Sequence, residues 1–200
     1  MQPNLSSRAN DPPGEPAQMP DSEGEIVERA RAGDGMAFTL LFQHYNAPIC
    51  TYIARLVGSD EQGLDLAQET FIHAWKSLPA LRGELQFKPW LYRIATNVAR
   101  SHLRRTRLVR WLPWTEHEQN PLLIAGPEEL VGEAEHIRQV LACLGMQSRV
   151  CLLLQLYAGF SQREIATALN ISEKTMSVYV SRGREQFRQL YHQMKGDIVQ

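Results

Sequence analysis

Little in this sequence can hold a metal, cross a membrane or attack a carbonyl. Its 200 residues include only three cysteines, Cys50, Cys143 and Cys151, in apolar helical patterns without CxxC spacing. That argues against a disulfide framework or a thiolate zinc site, and predicts buried free thiols in a reducing compartment. The six histidines form no HExxH and no Cys/His cluster, so no metal is expected. A P-loop, a nucleophile elbow and paired carboxylates on opposing elements are all missing, which leaves a non-enzyme that needs no cofactor. No run of eighteen apolar residues occurs, so membrane insertion is not expected. The N-terminus lacks the apolar core of an export signal, which places the chain in the cytoplasm. Strand alternation is absent too, and the expected fold is all-α.

What is present is charge, sorted along the chain. The net charge is −1, but residues 1–70 carry four cations against eleven anions, and residues 71–115 carry nine against one. Residues 116–135 have six glutamates and no cation, and residues 136–200 have eight cations against four anions. Two basic bodies separated by an acidic strap point to two contacts with nucleic acid.

The densest basic stretch is FKPWLYRIATNVARSHLRRTRLVR, residues 87–110, with seven Lys and Arg and no acid. Leu91, Ile94, Ala95 and Val98 recur at the period of a helix with one buried face. Arg93, Asn97, Arg100, Arg104 and Arg107 form a second line along it. Such a helix suits a polyanion, although a merely solvated basic face has the same pattern.

In chain order, residues 1–23 hold five of eleven prolines and read as a disordered tail. A short helix is expected near residues 25–32, stopped by Gly33-Asp34-Gly35. A longer one follows over residues 36–57, kinked or divided at Pro48. The next helix, residues 61–78, has Leu64, Ala67, Phe71, Ala74, Trp75 and Leu78 as its expected core. Asp65, Gln68 and Glu69 lie off that stripe. A loop over residues 80–88 then leads into the basic helix, completing a helical bundle over residues 24–110. Residues 111–135 read as a flexible acidic linker, with a helix starting near Glu128.

Residues 136–195 form a second small helical domain. Two apolar stripes (Ile137, Val140, Leu141, Leu144, then Val150, Leu153, Leu154, Tyr157) precede a terminating Gly159. Ser161 and Glu164 are spaced as a capping box, with Phe160 and Ile165 as its hydrophobic staple. Asn170 suits a tight left-handed turn, and Ser172 caps the helix beyond. Two short helices around a tight turn make a helix-turn-helix. In the second helix Met176, Val180, Gly183 and Phe187 should face the core. The polar residues near its start are placed to meet base edges, and the later arginines to grip phosphates.

Taken together these motifs resemble the extracytoplasmic-function sigma factors of bacterial RNA polymerase, members of the sigma-70 family. DLAQETFIHAW (65–75), FKPWLYRIATNVARSHLRR (87–105) and FSQREIATALNISEKTMSVYVSRGREQFRQL (160–190) carry the resemblance, which covers about residues 25–195. It implies a sigma region 2 bundle over residues 24–110 and a helix-turn-helix sigma region 4 over residues 136–195. Asp65, Gln68 and Glu69 would contact the β′ clamp helices of core polymerase. Phe87, Arg93, Asn97, Arg100, Arg104 and Arg105 would bind the minus-ten promoter element. There the loop 80–88 would shape a pocket lined by Asn97 for a base flipped out of the non-template strand. Ser172, Lys174, Thr175, Ser177, Tyr179, Arg182 and Arg184 would bind the minus-thirty-five element, with the domain resting on the β flap. An anti-sigma factor is an implied partner.

Within the recognition helix two positions depart from the family pattern: Ser177 and Tyr179 stand where basic residues are common. Leu144-Gly145 replaces an expected Leu-Pro. The competing reading is a one-component helix-turn-helix regulator whose N-terminal helices sense a ligand. That reading predicts a ligand pocket and dimerisation, and leaves DLAQET and the basic helix without a role.

Overall fold

A computed structural model describes residues 22–83, 86–109 and 132–197 as eight α-helices and one 3-10 turn, with no strand among them. The expectations for residues 1–21 and 110–131, including a helix start near Glu128, lie outside the described residues. Of the expected tail, Ser22 and Glu23 belong to the fold. Ser22 accepts from the Glu25 N–H and caps α1 (Glu23–Arg31). Asp34 then caps α2 (Gly35–Val57) by accepting from the N–H groups of Met36 and Ala37. Those two bonds and the Arg29 guanidinium, at 2.8 Å, hold its carboxyl below the usual carboxylate range.

Helix α2 runs through Pro48 as one element, neither divided nor restarted. Leu41, Tyr45, Ile49, Tyr52, Ile53 and Leu56 are all buried along it. Each such side chain stabilises the fold by roughly 1.5–3 kcal/mol. That outweighs the one hydrogen bond a proline removes. Gly58, at φ 85°, ends the helix in a left-handed conformation.

Helix α3 (Asp60–Ser77) packs on α2 with Ala67, Phe71 and Ala74 buried as expected, but without two of the expected core residues. Leu64 is 56% exposed and Trp75 38%, so neither is core. The buried line is Gly63, Leu66, Ala67, Thr70, Phe71 and Ala74. Close approach explains the choice. A Cβ on Gly63 would lie 2.7 Å from the Ala54 Cβ and 2.9 Å from its Cα. Only a face of small residues lets the two helices come that near. Thr70 sits in this face because its hydroxyl donates to the Leu66 carbonyl at 2.7 Å. A 3-10 turn (Leu78–Ala80) containing Pro79 closes the helix.

Helix α4 (Phe87–Val109) is the basic helix, and it is buried on two sides. Leu91, Ala95 and Val98 face the bundle as expected. Tyr52 donates to the Thr96 hydroxyl at 2.8 Å, which in turn donates to the Tyr92 carbonyl at 2.7 Å. Burial raises the pKa values of Tyr45, Tyr52 and Tyr92.

The second domain begins with α5 (Glu133–Cys143), so the last three residues of the expected linker are helical. Helices α6 (Met146–Leu156), α7 (Gln162–Leu169) and α8 (Glu173–Asp197) follow. The capping box is complete: Ser161 Oγ accepts from the Glu164 N–H, and Glu164 accepts from the Ser161 N–H at 2.8 Å. Asn170 takes φ 53°, as the turn requires. Ser172 Oγ accepts from the Thr175 N–H at 3.0 Å and caps α8. Gly183 lets α8 seat on α6, because a Cβ there would meet Leu152 Cδ1 at 2.8 Å.

The two domains pack on each other. Tyr92 meets Phe160 edge-on at 5.1 Å, and the Lys88 ammonium lies 4.9 Å from the same ring while donating to the Ala158 carbonyl. The Arg55 guanidinium stacks 4.3 Å over Tyr157. Arg138 pairs with Asp60 at 3.0 Å. Arg149, 6% exposed, donates to the Leu56 carbonyl at the end of α2 and to the Ala142 and Leu144 carbonyls at the end of α5. One guanidinium thus satisfies carbonyls at the C-terminal ends of two helices in two domains. Cys151 is buried and its thiol is pushed up to about 11, an inert thiol, and burial also raises Cys50. Cys143 departs from expectation: it ends α5 on the outer side and is exposed.

Candidate polymerase and nucleic-acid interfaces

Asp65 and Gln68 project from α3 into solvent, and Glu69 is half-buried beside them. The Glu69 carboxylate lies 3.5 Å from His73 and 3.9 Å from Arg105 of α4. It therefore belongs to two surfaces: the acidic edge of α3 and the rim of a groove between α3 and α4. Around the same face, Leu64, Ile72 and Trp75 are exposed. The helix taken for a simple amphipath thus shows solvent a mixed apolar and acidic surface. The usual signal for this, large apolar residues off the buried line, is present in the sequence once Gly63, Ala67 and Ala74 are taken as the close-packed side.

The groove has a volume of about 690 Å³. Glu69, His73, Lys76 and Ser77 form its α3 wall, and Ile94, Asn97, Val98, Ser101, Arg104 and Arg105 its α4 wall. Asn97 is exposed and stands among three cations. The sequence placed Asn97 beside the loop 80–88; the structure places its groove against the C-terminal half of α3. From that loop, the Gly83 carbonyl accepts from Arg31 at 3.0 Å. Glu84 and Leu85 lie outside the described residues.

The arginines of α4 do not share one fate. Arg93 and Arg104 are exposed and Arg105 reaches Glu69. Arg100 turns to the second domain and donates to Gln147 Oε1 at 2.7 Å. Its Nε is buried without a hydrogen-bond partner among the described residues. Phe87 corrects the sequence reading: at 2% exposure it is a core residue, with its ring 5.5 Å from Tyr45 and 5.6 Å from Trp90. Its aromatic surface anchors the start of α4 and is not presented to a base.

In the helix-turn-helix, Lys174, Arg182 and Arg184 are exposed on α8. Ser172 and Thr175 share a hydroxyl–hydroxyl bond of 2.7 Å within the cap. Ser177 donates to Gln162 Oε1 of α7 at 3.0 Å, tying the two helices together. Tyr179 is half-buried and packs against the core. The two departures from the common basic pattern thus serve the internal structure of this domain.

Comparison with known proteins bears on the whole arrangement. The model for sigma-70 region 2 matches residues 41–109, and that for sigma-70 region 4 matches residues 134–187. The RNA polymerase sigma-H factor of Pseudomonas aeruginosa is 32% identical over 176 residues, covering 82% of this chain and 91% of that protein. The chain is an extracytoplasmic-function sigma-70-type factor. The sigma factor NccH of Alcaligenes xylosoxydans xylosoxydans is 35% identical over 173 residues, covering 82% of this chain and 92% of the relative. The ECF sigma-E factor of Escherichia coli is 33% identical over 172 residues, covering 80% and 89%. Among solved structures, CnrH in complex with the cytosolic domain of CnrY aligns with a TM-score of 0.64 at 22% identity, covering 85% of this chain and 97% of that one. RpoE of Bartonella quintana in complex with the anti-sigma factor NepR aligns at 0.63 and 22%, covering 76% and 95%. These two show the same helical fold. As a sigma factor the chain is a transcription initiation subunit that binds core RNA polymerase and promoter DNA. The one-component regulator reading is not favoured.

Among the described residues of this sigma factor, no group of His, Cys, Asp and Glu is placed to hold a metal ion. No described helix is long and apolar enough to cross a membrane.

Proposed function

We propose that the three surfaces divide the work of initiation. The acidic and apolar edge of α3, with Asp65, Gln68 and Glu69, docks on the clamp helices of the β′ subunit. The groove between α3 and α4 receives a base flipped from the non-template strand of the minus-ten element. Asn97 supplies the hydrogen bonds that read it, while Arg93, Arg104 and Arg105 hold the flanking phosphates. Helix α8 enters the major groove of the minus-thirty-five element, with Lys174, Arg182 and Arg184 on its phosphates. The observation that carries this reading is the position of Asn97. It is an exposed amide inside a groove of nucleotide size, ringed by Lys76, Arg104 and Arg105.

The protein acts without catalysis of its own, in the cytoplasm. An anti-sigma factor that masks these surfaces fits the solved relatives, CnrH with CnrY and RpoE with NepR. The test is runoff transcription from a cognate promoter by core polymerase supplemented with this chain. Transcripts starting at a fixed site are expected. Specific duplex binding with no association to core polymerase would overturn the assignment.

A further inference from the structure

The recognition helix carries an exposed apolar side chain at the centre of its outward face. Met176, Val180, Gly183 and Phe187 set the inward side of α8. At about 100° per residue, Val178 lies roughly 190° from their mean direction, directly opposite the core. It is 39% exposed, the one large hydrophobic of α8 that is exposed among the described residues. Lys174 and Arg182 stand one turn before and one turn after it, about 40° to either side. They are about 12 Å apart along the axis, comparable to the width of a major groove. Two cations thus flank an apolar tip, an arrangement that holds the groove walls and sends the tip to the floor.

Two of the neighbouring hydroxyl groups, those of Thr175 and Ser177, already have partners within the domain. Ser177 donates to Gln162, and Thr175 shares its hydroxyl with Ser172. The Ser177 proton is therefore committed to Gln162 and not to a base edge. Val178 lies opposite the core, and a β-branched residue is a poor helix former at a solvent position. The base feature that matches an isopropyl group is the C5 methyl of thymine, which projects into the major groove.

We infer that Val178 is a specificity-determining residue that reads one thymine of the minus-thirty-five element through its C5 methyl group. This rests on the reading of α8 as the helix that enters that element.

The experiment uses the full chain assembled with core polymerase. Duplexes enriched from a library randomised across the upstream element are rebuilt with each thymine replaced in turn by deoxyuracil, which removes only the methyl. The wild-type holoenzyme should lose about three- to five-fold in affinity at one thymine, the worth of one buried methyl-sized group. Val178→Ala should bind the thymine and uracil duplexes equally at that position. Its melting temperature should be unchanged or slightly raised, because the site is exposed and alanine is the better helix former. An equal uracil penalty in both proteins, or none in the wild type, overturns the inference while leaving α8 as the reader. If neither protein enriches any duplex, the DNA-reading role of α8 falls and the inference falls with it.

Discussion

Arg149 donates from Nη1 to the carbonyl oxygen of Leu56 at 2.7 Å, so a side chain of the second domain completes the last turn of a helix in the first. The same guanidinium holds the carbonyls of Ala142 and Leu144. Replacing it with alanine leaves buried acceptors at two helix ends. Hydrogen bonds to a charged group are worth about 1.5–3 kcal/mol, and Arg149→Ala should cost at least about that much stability. Urea unfolding would measure it. A midpoint equal to that of the wild type would show that the contact carries nothing.

Gly63 is a second test of packing. Alanine there improves intrinsic helix propensity by about 1 kcal/mol. The new Cβ would, however, meet the backbone of Ala54 at 2.9 Å, and backbone cannot swing away as a side-chain tip can. Overpacking costs typically about 1–3 kcal/mol, so Gly63→Ala should be net destabilising. A more stable variant would mean that α2 and α3 separate easily.

Reversing charge at Asp65 and Glu69, as Asp65→Lys with Glu69→Lys, should weaken binding to core polymerase at least ten-fold, the loss of about 1.4 kcal/mol or more. The circular dichroism spectrum should not change, since both side chains reach solvent. Normal affinity for core in a folded double variant removes this edge of α3 from the interface.

Asn97→Ala should impair promoter opening more than closed-complex formation. Permanganate reactivity of the minus-ten thymines reports opening, and mobility shift at low temperature reports the closed complex. Flipping a base costs a few kcal/mol, and the groove must return it. Equal losses in the two assays would count against a flipped-base role.

The capping box of α7 gives a pH-dependent outcome. The Ser161 hydroxyl and N–H hold the Glu164 carboxyl below the usual carboxylate range. A depressed folded value contributes stability above the unfolded pKa, and that contribution is lost as pH falls through the folded value. Ser161→Ala should cost about 1 kcal/mol at neutral pH. The gap between variant and wild type should narrow in acid, and a gap independent of pH would show that the Ser161 hydroxyl does not hold the Glu164 carboxylate.

The helix-turn-helix was the most legible part of the chain, because Ser161, Glu164, Asn170 and Ser172 are local signals whose chemistry acts within three or four residues. The buried line of α3 was legible only in part, for the opposite reason: Ala67, Phe71 and Ala74 belong to it, and Leu64 and Trp75 do not. Leu64 and Trp75 are large and apolar, but close approach to α2 brings Gly63 into the buried line, and a glycine weighs little in a hydrophobic pattern. Phe87 carried a family role and proved to be core. Its neighbours Tyr45 and Trp90 explain this, and Tyr45 is distant in sequence. Tyr92 and Thr96 were unreadable as buried positions because their cover comes partly from Tyr52, and for Tyr92 from Phe160 in the other domain. Nothing local distinguished Arg149 from the surface arginines.

The docking of Arg149 on Leu56 and of Lys88 on Ala158 also sets a limit of reach. A compact body of about 150 residues, the described part of the chain, has a radius of gyration of about 15 Å and a breadth of roughly 40 Å. Elements centred at minus ten and minus thirty-five lie about 25 base pairs apart, or about 85 Å at about 3.4 Å per step. The docked body spans about half that distance. Reading both elements at once requires these contacts to part, and affinity for a full promoter is then scaled by the fraction of molecules in which they have done so.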